Sequence, residues 1–180
     1  RIDSDDIAHP HRLELQAERL RTQPGLSIIS SLVETFPADT VTEGFRRYVE
    51  WLNTLTTPDE IVREIFIESP LPHPSVMLRR TELLDLGGYQ EHGWPEDYDL
   101  WLRYFMAEKR MEKVPQTLLL WRDHPERATR TDSRYSIENF LRAKSNYLMR
   151  GPIRGRDAIF VWGAGQMGRR LSKHLIRAGA

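Results

Sequence analysis

Phe45, Val49 and Leu52 recur at helical spacing, which predicts an amphipathic helix in the first third of the chain. Leu13, Ala17 and Leu20 repeat that spacing and predict an earlier helix with those three on its apolar face. It opens at His9-Pro10, where proline's missing N–H is harmless, and stops at Thr22-Gln23-Pro24-Gly25. Leu26 to Val33 reads as a strand, and Arg1-Ile2 as the end of a buried strand whose body lies upstream. Thr57-Pro58-Asp59-Glu60 has capping-box spacing with proline at the first helical position, so a short helix starts there.

Ser69 to Pro74 holds three prolines and reads as a loop. Ser75 to Arg79 follows as a strand, and Thr81 to Leu86 as a short helix ended by Gly87-Gly88. A helix from Glu96 to about Glu108 carries Leu100, Trp101, Tyr104 and Phe105 on its apolar side. Asp99 and Arg103, four apart on it, are expected as a surface pair. Lys113 to Arg122 reads as a strand, the segment through Ser133 as a polar, basic loop, and Ile137 to Leu148 as a helix. Residues 151–156 read as a linker. Ala158 to Trp162 then has the character of a buried strand, followed by Gly163-Ala164-Gly165-Gln166-Met167-Gly168 and a helix to Ala178.

Composition narrows the class. Hydrophobic residues make up 39% of the 180, enough for a core, and charged residues 29%. Lys+Arg and Asp+Glu are both 26, and this zero net charge disfavours a nucleic-acid binder held by bulk electrostatics. Without cysteine there are no disulfides, thiolate metal sites or cysteine nucleophile in this stretch. No apolar run approaches the roughly 20 residues of a transmembrane helix. The chain opens on Arg and on mid-domain sequence, so the expectation is part of a longer protein, cytoplasmic or peripheral to a membrane.

Two acidic clusters offer chemistry. Asp3, Asp5 and Asp6 supply the hard oxygen ligands that Mg²⁺ or Mn²⁺ prefers while bridging to substrate phosphates; the same cluster suits an acidic cap for the next helix. Glu96 and Asp97 stand at a helix start, where a carboxylate stays ionised and can act as general base; simple charge complementarity with the helix end is the commoner reason for such a pair.

In order and character, these segments resemble the family-2 inverting glycosyltransferases of the GT-A fold. The resemblance is carried by Asp3-Ser4-Asp5-Asp6-Ile7-Ala8-His9-Pro10-His11-Arg12, Val76 to Arg80, Gly87-Gly88-Tyr89, Glu96 to Arg103, and Trp121-Arg122-Asp123-His124. It implies an α/β fold with a mixed sheet and flanking helices. Residues 1–150 would be the C-terminal part of the catalytic domain, without the nucleotide-binding N-terminal half. It further implies Asp97 as base beside Glu96, Asp5 and Asp6 as metal ligands, and Asp3 supporting the metal or the sugar. His124 would be a metal or phosphate ligand, or a loop histidine in a structural hydrogen bond. Arg127 and Arg130 would neutralise a diphosphate or remain solvated, and His73 and Trp94 would lie on the acceptor side. The implied partners are a nucleotide-diphosphate sugar, UDP-linked by default, and a carbohydrate, lipid-linked or protein acceptor.

Gly163, Gly165 and Gly168 have the strand-before, helix-after context of a dinucleotide fingerprint, so residues 157–180 read as the start of a Rossmann-like domain. It would hold a dinucleotide, or share that fold and bind none. Two other classes therefore stand beside the transferase: an NAD(P)-dependent oxidoreductase, and a non-catalytic nucleotide-sugar-binding module.

Overall fold

A computed structural model describes residues 1–163 and 165–179. They fall into two compact units, Arg1–Gly88 with Arg103–Arg127, and Tyr89–Leu102 with Ala128–Ala180.

The first unit is built on a mixed sheet of four strands in the order β1-β4-β2-β3. Strands β2 (Leu26–Phe36) and β4 (Arg110–Arg122) run parallel, with Val33 opposite Leu119. The short strands β1 (Ile7–Ala8) and β3 (Met77–Leu78) close the edges antiparallel, with Ile7 opposite Leu120 and Ile28 opposite Leu78. Pro115 has no N–H for the ladder, and there the register slips: Val114 pairs with Ser31, but Thr117 with Leu32. Leu118 and Leu119, adjacent and so on opposite faces, enter separate cores. Leu118 packs with Leu20, Leu26, Ile29 and Val114; Leu119 packs with Val33, Val49 and Leu52.

Helix α1 (Arg12–Thr22) lies against the first core and α2 (Glu43–Thr54) against the second. The expected face of α2 is buried at Val49 and Leu52. Helix α3 (Pro58–Glu64) carries the full capping box: the Thr57 hydroxyl accepts from Glu60 N, and the Glu60 carboxylate accepts from Thr57 N at 2.9 Å. Helix α4 (Arg80–Asp85) follows β3. Lys113 is buried in β4, where its amine donates to the Leu52 carbonyl and burial pushes it down to about 7.

Three expectations change here. Arg1 and Ile2 are not in a strand; the edge strand comes at Ile7, after a turn in which Asp6 N donates to Asp3 O at 3.3 Å. On α1, Leu13 is 67% exposed and Ala17 exposed; the buried stripe is Arg12, Gln16 and Leu20. Polar side chains win that face because each finds partners. The Arg12 guanidinium donates to Pro74 O at 2.6 Å and Arg1 O at 2.7 Å, and Gln16 Nε2 to Ser75 O at 2.7 Å. The strand expected over Ser75 to Arg79 shrinks to two residues, because His73–Ser75 is a 3-10 turn.

The second unit is helical, and the boundary between the units falls within α5 (Glu96–Met106). The expected loop through Ser133 contains α6 (Ala128–Thr131) and a 3-10 turn, Ser133–Tyr135. Helices α7 (Ile137–Arg150) and α8 (Gln166–Arg177) are joined by His174 Nε2, 2.7 Å from Glu138 Oε2. Asp99 is fully buried, not at the surface, and Arg103 donates to Gly88 O at 2.7 Å. Residues 158–162 are not a strand: Phe160 and Trp162 are 93% and 102% exposed. Among the described residues no neighbouring strand pairs with them, and an apolar run without a ladder partner has nothing to hold it extended. No described helix is long and apolar enough to cross a membrane.

Candidate functional site

The acidic cluster and the Trp121–His124 segment, far apart in sequence, meet at the edge of the sheet. Because β1 pairs with the end of β4, Arg122 N donates to Asp6 Oδ1 at 2.8 Å and Arg122 Nε to Asp5 O at 2.8 Å. His124 Nε2 then lies 3.2 Å from Asp5 Oδ2. Asp3 is half-buried, with Oδ1 3.4 Å from the Arg1 guanidinium.

Asp6 is the constrained member of this cluster. Its Oδ2 is buried with no hydrogen-bond partner. Burial, with Asp3 and Asp5 nearby, pushes its carboxyl up to about 6, against the Arg122 N–H, which favours the ionised form. A cation beside Asp5 and Asp6 would satisfy the orphaned oxygen and offset the crowded negative charge, so these residues fit a divalent ion chemically. As they stand, no group of three or more His, Cys, Asp or Glu among the described residues is disposed to hold a metal. Asp5 and His124 form the approaching pair.

Arg127 is deeply placed. Its guanidinium lies 4.3 Å from the Phe45 ring centroid and 4.4 Å from that of Trp121, and 3.5 Å from Asp123 Oδ1. Its side chain is 9% exposed and that of Asp123 is fully buried. His73 is also buried, in the 3-10 turn; desolvation first, then the Arg1 guanidinium, pushes its ring down to about 3, so it is neutral.

The second unit holds the other carboxylates. Glu96 and Asp97 occupy the first turn of α5, both half-buried. Tyr135 OH donates toward Glu96 Oε2 and Oε1 at 3.2 and 3.3 Å, and Arg134 NH1 stands 3.6 Å from Oε2. Asp97 Oδ1 accepts from Tyr98 N at 2.8 Å. Desolvation, then Asp97 and Glu96, raises the Tyr135 hydroxyl well above its ordinary range, which keeps it a donor. Trp94 is half-buried, its indole N–H donating to Asp99 Oδ1 at 2.8 Å; Tyr147 OH donates to the same oxygen at 2.7 Å. Arg130 is exposed on α6.

Sequence reasoning missed Arg122, Tyr135, Arg134 and the buried role of Asp99. Arg122 stood inside a quoted motif, but nothing in the spacing of Tyr135 marks it as a partner of Glu96.

At the glycine cluster, Gly163 has a φ of +113°. A Cβ on Gly168 would lie 1.9 Å from Gly163 O, so that approach demands glycine. Gly165 is the N-cap of α8, and Ala164 lies outside the described residues.

No protein-family model matches the chain. It is 28% identical over 160 residues to a UDP-Gal:alpha-D-GlcNAc-diphosphoundecaprenol beta-1,3-galactosyltransferase of Escherichia coli, covering 88% of this chain and 56% of that protein. The amylovoran biosynthesis glycosyltransferase AmsE of Erwinia amylovora is 27% identical over 66% of this chain and 42% of its own length. The O-antigen biosynthesis glycosyltransferase WbnJ of Escherichia coli is 25% identical over 81% and 57%. The chain thus spans about half the length of the curated relatives it matches. All three are named glycosyltransferases, and it is to such enzymes that this α/β chain is similar.

Proposed function

We propose that residues 1–150 are the C-terminal part of a GT-A-type catalytic domain of an inverting family-2 glycosyltransferase. It moves a sugar from a nucleotide-diphosphate sugar to an acceptor hydroxyl in polysaccharide or glycoconjugate synthesis. The observation that carries this reading is the meeting of Asp5 with His124, at 3.2 Å, beside the orphaned Asp6 oxygen. The similarity to named glycosyltransferases supports it.

In this reading Asp97 accepts the proton of the acceptor hydroxyl as its oxygen attacks the anomeric carbon. The bond from that carbon to the diphosphate breaks on the opposite face, so the configuration inverts in one step. Glu96, tied to Tyr135, holds the turn that carries Asp97. Asp5, Asp6 and His124 would hold Mn²⁺ or Mg²⁺, which when bound supplies positive charge opposite the departing diphosphate. UDP is the default nucleotide, and the acceptor is a carbohydrate, a lipid-linked sugar or a protein. A nicotinamide-dependent oxidoreductase is not favoured, since the segment before Gly163 is not a strand and the relatives are named for glycosyl transfer.

The test is nucleoside-diphosphate release by the full-length protein from a panel of sugar nucleotides with Mn²⁺ and candidate acceptors. Release that needs metal and is lost in Asp97→Asn supports the assignment. Metal-dependent nucleotide binding without release for any acceptor would instead identify a binding module.

A further inference from the structure

The helical unit contains a second cluster of polar groups, separate from Glu96 and Asp97. A cleft of about 230 Å³ is lined by Trp94, Arg142, Ser145, His174, Arg177 and Ala178. Arg142 and Ser145 are three apart on α7, and His174 and Arg177 three apart on α8, so each pair shares a helix face.

Ser145 is 1% exposed, and its Oγ has no hydrogen-bond partner. Native proteins rarely leave a buried hydroxyl unpaired, and this one lines the cleft, where it can donate to an oxygen of a bound ligand. The charges point the same way. Arg142 donates to Asn139 Oδ1 at 2.8 Å and lies 5.5 Å from the Trp94 ring centroid. Among the described residues, neither Arg142 nor Arg177 is paired with a carboxylate. The nearby acid, Glu138, is already taken by His174 Nε2 at 2.7 Å and Arg170 Nε at 3.5 Å. Trp94 is held in place by Asp99 through its indole N–H.

We propose that this cleft binds a phosphate group. Two guanidiniums and a hydroxyl supply donors for more oxygens than a carboxylate offers, and the guanidinium fork suits phosphate geometry. The cleft is below the ~300–1,000 Å³ of sites for drug-sized ligands, which fits a phosphate and its nearest atoms better than a whole nucleotide. The phosphate belongs either to a soluble ester or ion or to a lipid headgroup. This site does not rest on the transferase reading, and its test measures no transfer.

Calorimetry of the full-length protein with inorganic phosphate, and flotation with phosphatidylcholine vesicles with or without phosphatidic acid, distinguish the sources. Phosphate should bind, with affinity reduced about tenfold or more in Arg142→Gln/Arg177→Gln and less in Ser145→Ala. Recruitment to phosphatidic acid vesicles that free phosphate reverses identifies a headgroup; phosphate binding without recruitment identifies a soluble ligand. No phosphate binding, or unchanged affinity in a double variant with an intact circular dichroism spectrum, overturns the proposal. If the double variant misfolds, phenylglyoxal modification of the unaltered protein decides. Slower modification of Arg142 and Arg177 in phosphate supports the site, and equal rates overturn it.

Discussion

Tyr135 reaches both carboxylate oxygens of Glu96, at 3.2 and 3.3 Å, and its raised pKa keeps the hydroxyl protonated as donor. Arg134 stands 3.6 Å from the same carboxylate, so Glu96 is anchored from two sides, and in the proposed mechanism Asp97 is the base. Asp97→Asn should lower turnover by about 10²–10⁴-fold, the usual contribution of a general base, with donor binding retained. Tyr135→Phe should lower it about tenfold or less, since Arg134 still holds Glu96. Steady-state turnover and donor affinity of both variants check this. A larger loss in Tyr135→Phe than in Asp97→Asn would reverse the roles.

Asp99, fully buried, receives both the Trp94 indole N–H and the Tyr147 hydroxyl at Oδ1. Asp99→Ala strands the buried Tyr147 hydroxyl and the half-buried Trp94 indole N–H and should destabilise the protein by about 2–4 kcal/mol. Tyr147→Phe removes one donor and should cost about 1–2 kcal/mol. Urea unfolding reports both, and equal midpoints for wild type and Asp99→Ala would contradict the buried role.

His73 gives a pH signature. Its folded pKa, about 3, lies below the ordinary 6.5, so between these values the unfolded chain binds the extra proton. Its contribution to stability is complete above about pH 6.5 and is lost as pH falls toward 3, at no more than about 1.4 kcal/mol per pH unit. Chemical denaturation across that range should show the slope, and His73→Asn should flatten it. An identical slope in the variant would remove His73 as its source.

Gly168, in the first turn of α8, lies against the backbone of Gly163, where an added Cβ would meet the carbonyl oxygen at 1.9 Å. Gly168→Ala must displace that backbone, at about 1–3 kcal/mol. Faster hydrogen exchange in the first turns of α8, with β2 and β4 unchanged, is the expected result. Unchanged exchange in α8 would show that the contact is not maintained.

Much of the local structure was legible along the chain. Thr57 and Glu60 are three residues apart and satisfy each other, so their capping box could be read directly. Phe45, Val49 and Leu52 gave the correct face of α2 because that helix buries apolar side chains in the ordinary way. On α1 only Leu20 is buried as expected; Leu13 and Ala17 misled, because the rest of the buried stripe is polar and its partners, Pro74 and Ser75, lie about sixty residues away. Asp99 misled in its exposure: expected at the surface, it is fully buried, where Trp94 and Tyr147 donate to it.

What the sequence alone determined about this protein is where the two long strands and most of the helices lie and which side chains carry charge, since both depend mainly on residues within a turn or two of each other. Tertiary structure alone decided which polar groups are buried, that His124 reaches Asp5, and that Tyr135 takes Glu96. Those outcomes depend on long-range pairing, and a buried polar atom keeps its place only where the folded chain brings it a partner.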